Sequence, residues 1–395
     1  MKKHRIAIIA FVLIFCVLVP AACGAPSSKQ SAENGDVNIG IIGPFTGNVA
    51  QYGLAVRNGA MLYIEEYNAA GGLNGKQIHA VPYDEEGDPA KALTGYHSLI
   101  DSGVTAIIGS VTSRPTMAIV PEALADEMPM ITASATAAAV TYDEETGTLY
   151  GNMFRSCFID PFQGEKMADF AKVQLNAATA AVIFNTGDDY SIGLKEAFVK
   201  KANEIGLTLV AQEGYADGAV DFQSQLTNIA AKNPDVLFAP DYYNTIALIS
   251  GQARNAGVTA VMLGGDGWDT VLNVMTDAAP IEGSFYCSGY SVEDTTPSVQ
   301  TFLAAYEAKY NEVPNMFAAQ AYDAAMILLA AMEQAEESGH AVGSIEYRRI
   351  IINAMRATNM EGVTGHITYD EFNNPVKTAV IINIENGEAK FWGKF

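Results

Sequence analysis

Short runs of aliphatic and β-branched residues alternate along most of the chain with longer segments that have helical periodicity. The segment 51–68, for example, follows a short apolar run that breaks at Gly43-Pro44, and its residues Val56, Ala60 and Tyr63 fall on one helical face. The apolar runs predict buried strands at 37–42, 78–83, 105–108, 130–132, 180–184, 208–212, 236–239 and 261–263.

This alternation predicts an α/β protein, because strands separated by helices pair in parallel and the helices then cover both faces of the sheet. Two series of alternating elements, about 37–155 and 157–285, predict two doubly wound lobes. Later strands at 366–369 and 378–384 are too few for a third domain, so we expect them to dock onto the two existing sheets.

The lobes are expected to exchange chain segments. The predicted first lobe comprises 37–156 plus 288–369, and the predicted second lobe comprises 157–287 plus 370–395. Several crossings between the lobes predict a hinge of parallel strands.

The N-terminus has a different pattern. Lys2, Lys3 and Arg5 precede an uncharged apolar run of 14 residues, 6–19. A basic head before so short an apolar run is typical of a secretory signal, whereas a membrane span needs roughly 20 residues. We therefore expect 1–22 to be a signal peptide and the folded part to work outside the cytoplasm.

A lipid attachment site follows this signal. Pro20-Ala21-Ala22-Cys23 resembles a bacterial lipobox, although proline stands where that motif usually carries leucine. It predicts lipidation of Cys23, and the polar segment 23–36 suits a flexible tether to the cell membrane. The alternative is a signal peptide followed by an incidental cysteine.

Composition limits the possible partners. The chain has 23 basic and 45 acidic residues, a net charge of −22, and loss of Lys2, Lys3 and Arg5 with the signal makes it −25. Such a surface repels nucleic acid and anionic lipid. About 360 residues follow the tether, more than one hydrophobic core usually supports, which agrees with two lobes.

Catalytic and metal-binding motifs are missing from the sequence. It contains no Gly-x-Ser-x-Gly, His-Glu-x-x-His, Walker loop or Cys-x-x-Cys, and its five histidines are scattered. We therefore expect no catalytic residue, metal or cofactor. Cys157 and Cys287 both lie at predicted lobe junctions, but their spacing does not show whether they pair.

Residues just after the central strands are the candidates for ligand binding, because open parallel sheets bind ligands beyond the carboxyl ends of their strands. In the first lobe these positions carry the hydroxyls of Ser113, Ser134 and Thr136 near helix starts, which suits a carboxylate. In the second lobe they carry Tyr242 and Asp266, which suit an ammonium group.

A ligand that carries both charges close together is an α-amino acid. The hydroxyls have an alternative role as ordinary helix caps, and Asp266 has an alternative role as a surface acid. Position in the sequence alone does not distinguish the ligand-binding roles of these residues from the alternative roles.

Ordered motifs along the whole mature chain resemble the leucine/isoleucine/valine-binding protein family, which has the type I periplasmic-binding fold. The motifs are Gly43-Pro44-Phe45-Thr46-Gly47, Gln51-Tyr52-Gly53, Asn68-Ala69-Ala70-Gly71-Gly72-Leu73-Asn74-Gly75-Lys76, Tyr83-Asp84, Asp88-Pro89, Ile107-Ile108-Gly109, Pro129-Met130-Ile131, Ser134-Ala135-Thr136, Asp189-Tyr190, Gln252-Ala253-Arg254-Asn255-Ala256-Gly257 and Gly264-Gly265-Asp266-Gly267. Two departures are an aspartate at 266, where many relatives have glutamate, and the absence of a small first-lobe disulfide, since Gly87 and Thr112 occupy its positions.

The resemblance implies roles for individual positions. Ser113 and Thr136 would hold the ligand carboxylate, Ser134 would use its backbone, and Tyr242 and Asp266 would bind the ammonium. The implied ligand-binding positions are Tyr52, Ser113, Ser134, Ala135, Thr136, Tyr190, Tyr242 and Asp266. The implied margin of the pocket is Val111, Thr112, Arg114, Trp268 and Phe317.

The resemblance also implies a monomeric solute-binding protein that delivers leucine, isoleucine or valine to the permease subunits of an ABC transporter. Thr112 and Arg114 make the pocket edge more polar than an aliphatic ligand requires, so a polar or small amino acid stays open, and relatives with this fold also take amides, urea or aromatic acids. A sensory protein that presents an amino acid or a related amide to a receptor would have the same fold and site.

Overall fold

The structure is a computed structural model and describes residues 35–395. The predicted signal peptide, Cys23 and nearly all of the predicted tether lie outside the described residues. The strands are β1 Val37–Gly43, β2 Ile78–Asp84, β3 Ala106–Ile108, β4 Met130–Thr132, β5 Tyr142–Asp143, β6 Thr148–Leu149, β7 Met153–Arg155, β8 Thr179–Asn185, β9 Thr208–Tyr215, β10 Val236–Phe238, β11 Val261–Gly264, β12 Phe285–Ser288, β13 Asn359–Gly362, β14 Gly365–Thr368, β15 Val380–Glu385 and β16 Glu388–Lys394.

Helices separate most of these strands. They are α1 Ala50–Ala69, α2 Pro89–Asp101, α3 Ser113–Ala125, α4 Asp160–Val173, α5 Asp189–Ile205, α6 Gln223–Lys232, α7 Tyr243–Asn255, α8 Pro297–Tyr310, α9 Met316–Glu337 and α10 Ile345–Arg356. In the range 35–395, no helix combines the length and the hydropathy that a bilayer span requires.

The first sheet has five parallel strands in the order β2-β1-β3-β4-β7. Its central strands β3 and β4 are fully buried, which explains why they read as unbroken apolar runs. Helix α1 packs against α9, which also contacts β3 and β4. At the start of α2 the Asp88 carboxylate caps the helix, because it accepts a hydrogen bond from the backbone N–H of Lys91 at 2.9 Å.

The second sheet has seven strands in the order β16-β15-β12-β11-β10-β8-β9, and helices α4 and α5 pack together beside it. Strands β8 to β12 are parallel, whereas β15 and β16 are antiparallel to their neighbours. The hairpin between β15 and β16 turns at Asn386-Gly387, and both residues have positive φ, as a tight two-residue turn requires.

The prediction for the late strands is half wrong. The strand predicted at 378–384 does dock on the second sheet as β15. The strand predicted at 366–369 instead forms β14, which pairs only with β13 in a separate hairpin. The turn of that hairpin is held by Asp323 of α9, whose carboxylate accepts hydrogen bonds from the backbone N–H groups of Val363 at 2.6 Å and Thr364 at 2.9 Å. This buried anchor keeps the hairpin on α9 and away from the sheets.

The chain passes three times between the second sheet with its helices α4 to α7 and the rest of the fold: from β7 to α4, from β12 to α8, and from β14 to β15. This arrangement confirms the predicted α/β class with two doubly wound lobes. We call the first sheet with its helices the first lobe, and the second sheet with its helices the second lobe.

Arg155, at the end of β7, is fully buried and holds the loop that follows β4. Its guanidinium donates to the backbone carbonyls of Ala135 at 2.9 Å and Ala137 at 3.0 Å, and to the hydroxyl of Thr141 at 3.0 Å. The loop between these acceptors carries Thr136, so one side chain positions a candidate ligand contact.

Replacing Arg155 with methionine should therefore destabilise the protein. The three buried acceptors would lose their donor, and we expect the free energy of unfolding to fall by ~2–4 kcal/mol. Urea denaturation of Arg155→Met measures this loss. Arg349→Met is the matched control, because Arg349 makes an exposed ion pair with Glu127 that contributes ~0–1 kcal/mol. Equal stability of the two variants would show that Arg155 does not hold the loop.

Candidate functional site

A narrow cavity lies between the two lobes at the carboxyl ends of their strands, and its volume is about 10 Å³. We call it the central cavity. The first lobe lines it with Tyr52, Val111, Thr112, Ser113, Ser134, Thr136 and Phe317, and the second lobe lines it with Tyr190, Tyr242, Asp266 and Gly267. This volume is about that of one water molecule, so the lobes must move apart before the cavity can admit a small molecule.

The first-lobe wall offers hydrogen-bond donors. Ser113 begins helix α3, and its Oγ accepts from the backbone N–H of Ala137 at 3.1 Å, which leaves its own O–H free to donate. The Oγ1 of Thr136 is buried and lies beside the Asp160 carboxyl at the start of α4. Two hydroxyls and the N-terminus of a helix together favour an anionic group.

Ser134 behaves differently. Its hydroxyl donates to the backbone carbonyl of Val111 at 2.8 Å, which ties two loops of the first lobe together. Local hydrogen bonding, the alternative stated for these hydroxyls, therefore describes Ser134 best.

The second-lobe wall offers a carboxylate. Asp266 lies in a single 3-10 turn after β11, and its Oδ1 accepts from the hydroxyl of Tyr190 at 2.8 Å. The same hydroxyl accepts from the backbone N–H of Gly267 at 2.8 Å, and the backbone N–H of Asp266 donates to Gln163 Oε1 at 2.9 Å. These three contacts fix the acid in place, so Asp266 is not the surface residue that the alternative reading required.

This wall carries more buried acid than it has cations to balance. Asp266 is 2% exposed, and burial raises the pKa of its carboxyl from 3.8 to about 6. Asp160 at the start of α4 is fully buried beside Thr136, and burial raises the pKa of its carboxyl well above 3.8, although the Thr136 hydroxyl and the Arg155 guanidinium act in the opposite direction. A cation in the central cavity would relieve this imbalance.

Aromatic rings complete the walls. The ring of Tyr190 stacks on that of Tyr242 with centroids 4.9 Å apart, and the ring of Tyr52 stacks on that of Phe317 at 4.2 Å. Such rings supply apolar contact area, and their faces attract an ammonium group.

The lobes touch each other around the cavity. The hydroxyl of Tyr52 donates to the backbone carbonyl of Gly267 at 2.5 Å and accepts from the backbone N–H of Tyr243 at 3.1 Å. The hydroxyl of Tyr243 in turn donates to the backbone carbonyl of Asn48 at 2.8 Å. The structure therefore has the lobes in contact, with the central cavity enclosed between them.

Three predicted positions do not line the central cavity. The backbone carbonyl of Ala135 faces Arg155 instead, and the Arg114 guanidinium pairs with Asp217 of the second lobe at 3.0 Å on the surface. Trp268 is fully buried behind the wall, and its indole N–H donates to the carbonyl of Ala239 at 2.8 Å.

The sequence analysis missed Asp160 and Gln163, which lie behind the acidic wall. Both belong to the start of α4, where the chain enters the second lobe, and not to a strand end. The pattern Asp160-Pro161, an acid followed by proline at a helix start, was the available signal.

Cys157 and Cys287 are both buried and unpaired. Burial raises the pKa of the Cys157 thiol to about 12, so it carries no reactive thiolate at neutral pH. In the described range, no three His, Cys, Asp or Glu side chains are grouped closely enough to hold a metal ion.

Comparison with known proteins gives concordant matches. A family model described as periplasmic binding protein matches residues 36–389. The chain is 28% identical over 353 residues to the leucine-, isoleucine-, valine-, threonine-, and alanine-binding protein of Pseudomonas aeruginosa, which covers 89% of this chain and 90% of that protein.

Two solved structures are similar over almost their whole length. The leucine-binding protein LivK from Thermotoga maritima has a TM-score of 0.82 and 32% identity, covering 91% of this chain and 98% of that one. The branched-chain amino acid transporter substrate-binding protein LivJ from Streptococcus pneumoniae, in complex with isoleucine, has a TM-score of 0.81 and 32% identity, covering 91% and 100%.

The raised pKa of Asp266 predicts a pH-dependent loss of stability. The Asp266 carboxyl keeps its proton up to about pH 6 in the folded protein but only up to about 3.8 in the unfolded chain. The stabilisation of the folded state by this proton is therefore complete below pH 3.8, and it is lost as the pH rises through 6. The free energy of unfolding of Asp266→Asn, minus that of the wild type, should therefore increase by ~3 kcal/mol between about pH 4 and pH 7. Urea denaturation across this range measures the difference, with Asp101→Asn at an exposed position as control. A difference that stays constant with pH would contradict the assignment.

Proposed function

The chain belongs to the periplasmic binding protein family, and from that premise we propose that it captures an amino acid outside the cytoplasm and delivers it to an ABC importer. Leucine, isoleucine and valine are the leading ligands. The relatives from Pseudomonas aeruginosa, Thermotoga maritima and Streptococcus pneumoniae, whose names specify leucine or branched-chain amino acids, support this choice.

One observation carries the proposal: the two walls of the central cavity have complementary chemistry. The first lobe presents the hydroxyls of Ser113 and Thr136, and the second lobe presents the buried carboxylate of Asp266. A zwitterion satisfies both walls at once, because its carboxylate meets the donors while its ammonium meets the acid. A neutral or singly charged guest of the same size leaves one wall unpaired, which costs binding free energy.

The individual contacts follow from this orientation. Ser113 and Thr136 hold the carboxylate, with the first-turn N–H groups of helix α3 nearby. Asp266 binds the ammonium, with the ring of Tyr242 beside it. The backbone of Ser134 adds to the carboxylate side.

The side chain of the ligand lies against the remaining apolar surfaces, Val111 and the rings of Tyr52, Tyr190 and Phe317. The cavity volume of about 10 Å³ leaves no free space for a side chain in the present arrangement, so these surfaces must separate to admit the ligand. Thr112 is the polar group at this end, so threonine or alanine is the second choice.

Closure of the lobes is the proposed mechanism of capture. Neither lobe alone pairs both ligand charges, so the ligand has a higher affinity for the closed arrangement and shifts the population towards it. The moving units are the lobes with the bounds 37–156 plus 288–369 and 157–287 plus 370–395. In this mechanism the ligand binds and leaves chemically unchanged.

Membrane attachment through Cys23 is a further part of the proposal. It rests on the lipobox-like Pro20-Ala21-Ala22-Cys23, and the segment 23–36 then tethers the lobes beside the permease. Radiolabelled palmitate should label the protein in bacterial cells, and Cys23→Ala should abolish the label and release the protein from the membrane fraction. Equal labelling of the Cys23→Ala variant would contradict lipidation at this residue.

The titration of isoleucine into Asp266→Asn tests the proposed function. The variant keeps an oxygen that can accept from Tyr190 but loses the charge, so the ligand ammonium would be buried without a counter-ion. We expect isothermal titration to show a loss of ~2–5 kcal/mol in binding free energy relative to the wild type. Asp101→Asn, which removes the same charge from an exposed position, should bind as the wild type does. Unchanged affinity in Asp266→Asn would remove this residue from the site.

A further inference from the structure

A second and larger cavity opens between the lobes to one side of the central cavity. It encloses about 790 Å³, within the range of small-molecule sites, and it shares no lining residue with the central cavity. We call it the lateral cavity. The first lobe contributes Gln51 and Leu54 of α1 and the segment before α9, and the second lobe contributes the loop 268–273 and strand β12.

The charge of this lining has one sign. Asp269 and Glu312 are its only ionisable acids, and no lysine, arginine or histidine of the described chain lines it. The whole protein has a net charge of −22, so the surrounding field has the same sign as the lining. An anion would meet only repulsion here, whereas a cation would be attracted.

The lining also holds polar groups that have no partner. Tyr290 is 6% exposed, and its hydroxyl makes no hydrogen bond to any residue in 35–395. The hydroxyl of Thr270 is likewise buried and unpaired within this range. Buried hydroxyls are normally satisfied, so these two favour a polar guest or ordered water in the cavity.

The loop that carries Asp269 is held in one conformation. Thr270 has a φ of 72°, a left-handed value that costs a β-branched residue about 1–3 kcal/mol and persists only where surrounding contacts impose it. One such contact is from Asp269 itself, whose Oδ2 accepts from the backbone N–H of Met316 in the first lobe at 3.0 Å. Burial raises the pKa of Asp269 to about 6, so its carboxylate is ionised at neutral pH.

The rest of the lining is largely apolar. Leu54, Val271, Val292 and Ile382 come from four separate elements and surround the acid with aliphatic surface. This surface suits the hydrocarbon part of a guest whose polar end lies at Asp269.

We propose that the lateral cavity is a second binding site, which takes a small organic ammonium ion with an aliphatic body. The ammonium group pairs with Asp269 and reaches the hydroxyl of Tyr290, while the aliphatic part packs on Leu54 and Val271. The acid, the hydroxyls and the apolar wall of this site are all different residues from those of the central cavity.

Binding of n-pentylammonium, with 1-pentanol and pentanoate as neutral and anionic probes of equal length, tests the proposal. By isothermal titration, the wild type should bind one pentylammonium ion and should bind neither pentanol nor pentanoate at comparable concentration. Asp269→Asn keeps an oxygen acceptor for Met316 but loses the charge, so it should bind the ion at least about tenfold more weakly, a change of about 1.4 kcal/mol. Tyr290→Phe, which removes only the hydroxyl, should also weaken binding.

Two controls separate this site from the central cavity and from general charge effects. Asp101→Asn, at an exposed position, should bind pentylammonium as the wild type does, and Asp269→Asn should weaken binding equally in the wild-type and Asp266→Asn backgrounds. The proposal is overturned if the wild type binds no pentylammonium, if Asp269→Asn and Tyr290→Phe both bind it unchanged, or if only Asp266→Asn weakens it. The last result would assign the ion to the central cavity, and none of these results depends on whether isoleucine is the transported ligand.

Discussion

A carboxylate that is buried without a cation is the constraint on which the site depends. Asp266 is held by Tyr190 and Gln163 in a narrow cleft between the lobes, and the buried carboxyl of Asp160 lies nearby. Burial makes the charged form of both acids unfavourable, as their raised pKa values indicate. A bound ammonium group removes this penalty. The free energy that burial of the acids takes from the stability of the ligand-free protein is then recovered as binding free energy for the right ligand.

The opposite wall depends on support from deeper in the fold. Thr136 lies in a loop whose carbonyls are held by Arg155, and Ser113 is placed by the start of α3 and by the N–H of Ala137. These supports belong to rigid strands and helices of one lobe, and those of Asp266 belong to the other. The two halves of the site can therefore separate and rejoin without either losing its own geometry.

The sequence predicted the features that arise from local patterns. Buried parallel strands read as short apolar runs, and the residues after them reached the central cavity, as Thr136 and Asp266 show. The predictions were wrong where contacts between residues far apart in the sequence determine the structure. Trp268 follows Asp266 by two residues, but its ring turns into the core, where its indole N–H donates to the carbonyl of Ala239. Strand β14 lies in a hairpin whose turn is hydrogen-bonded to Asp323, on a helix about 40 residues away in the sequence. Asp160 and Gln163 were missed because they enter the site from a helix start that no strand-end rule covers.

A crystal structure of the protein with isoleucine tests the central claim most directly. The account predicts the ammonium nitrogen within about 3.2 Å of the Asp266 carboxylate, and the ligand carboxylate within the same distance of the Ser113 and Thr136 hydroxyls. An isoleucine bound in the reverse orientation, or bound away from both lobes' strand ends, would contradict it.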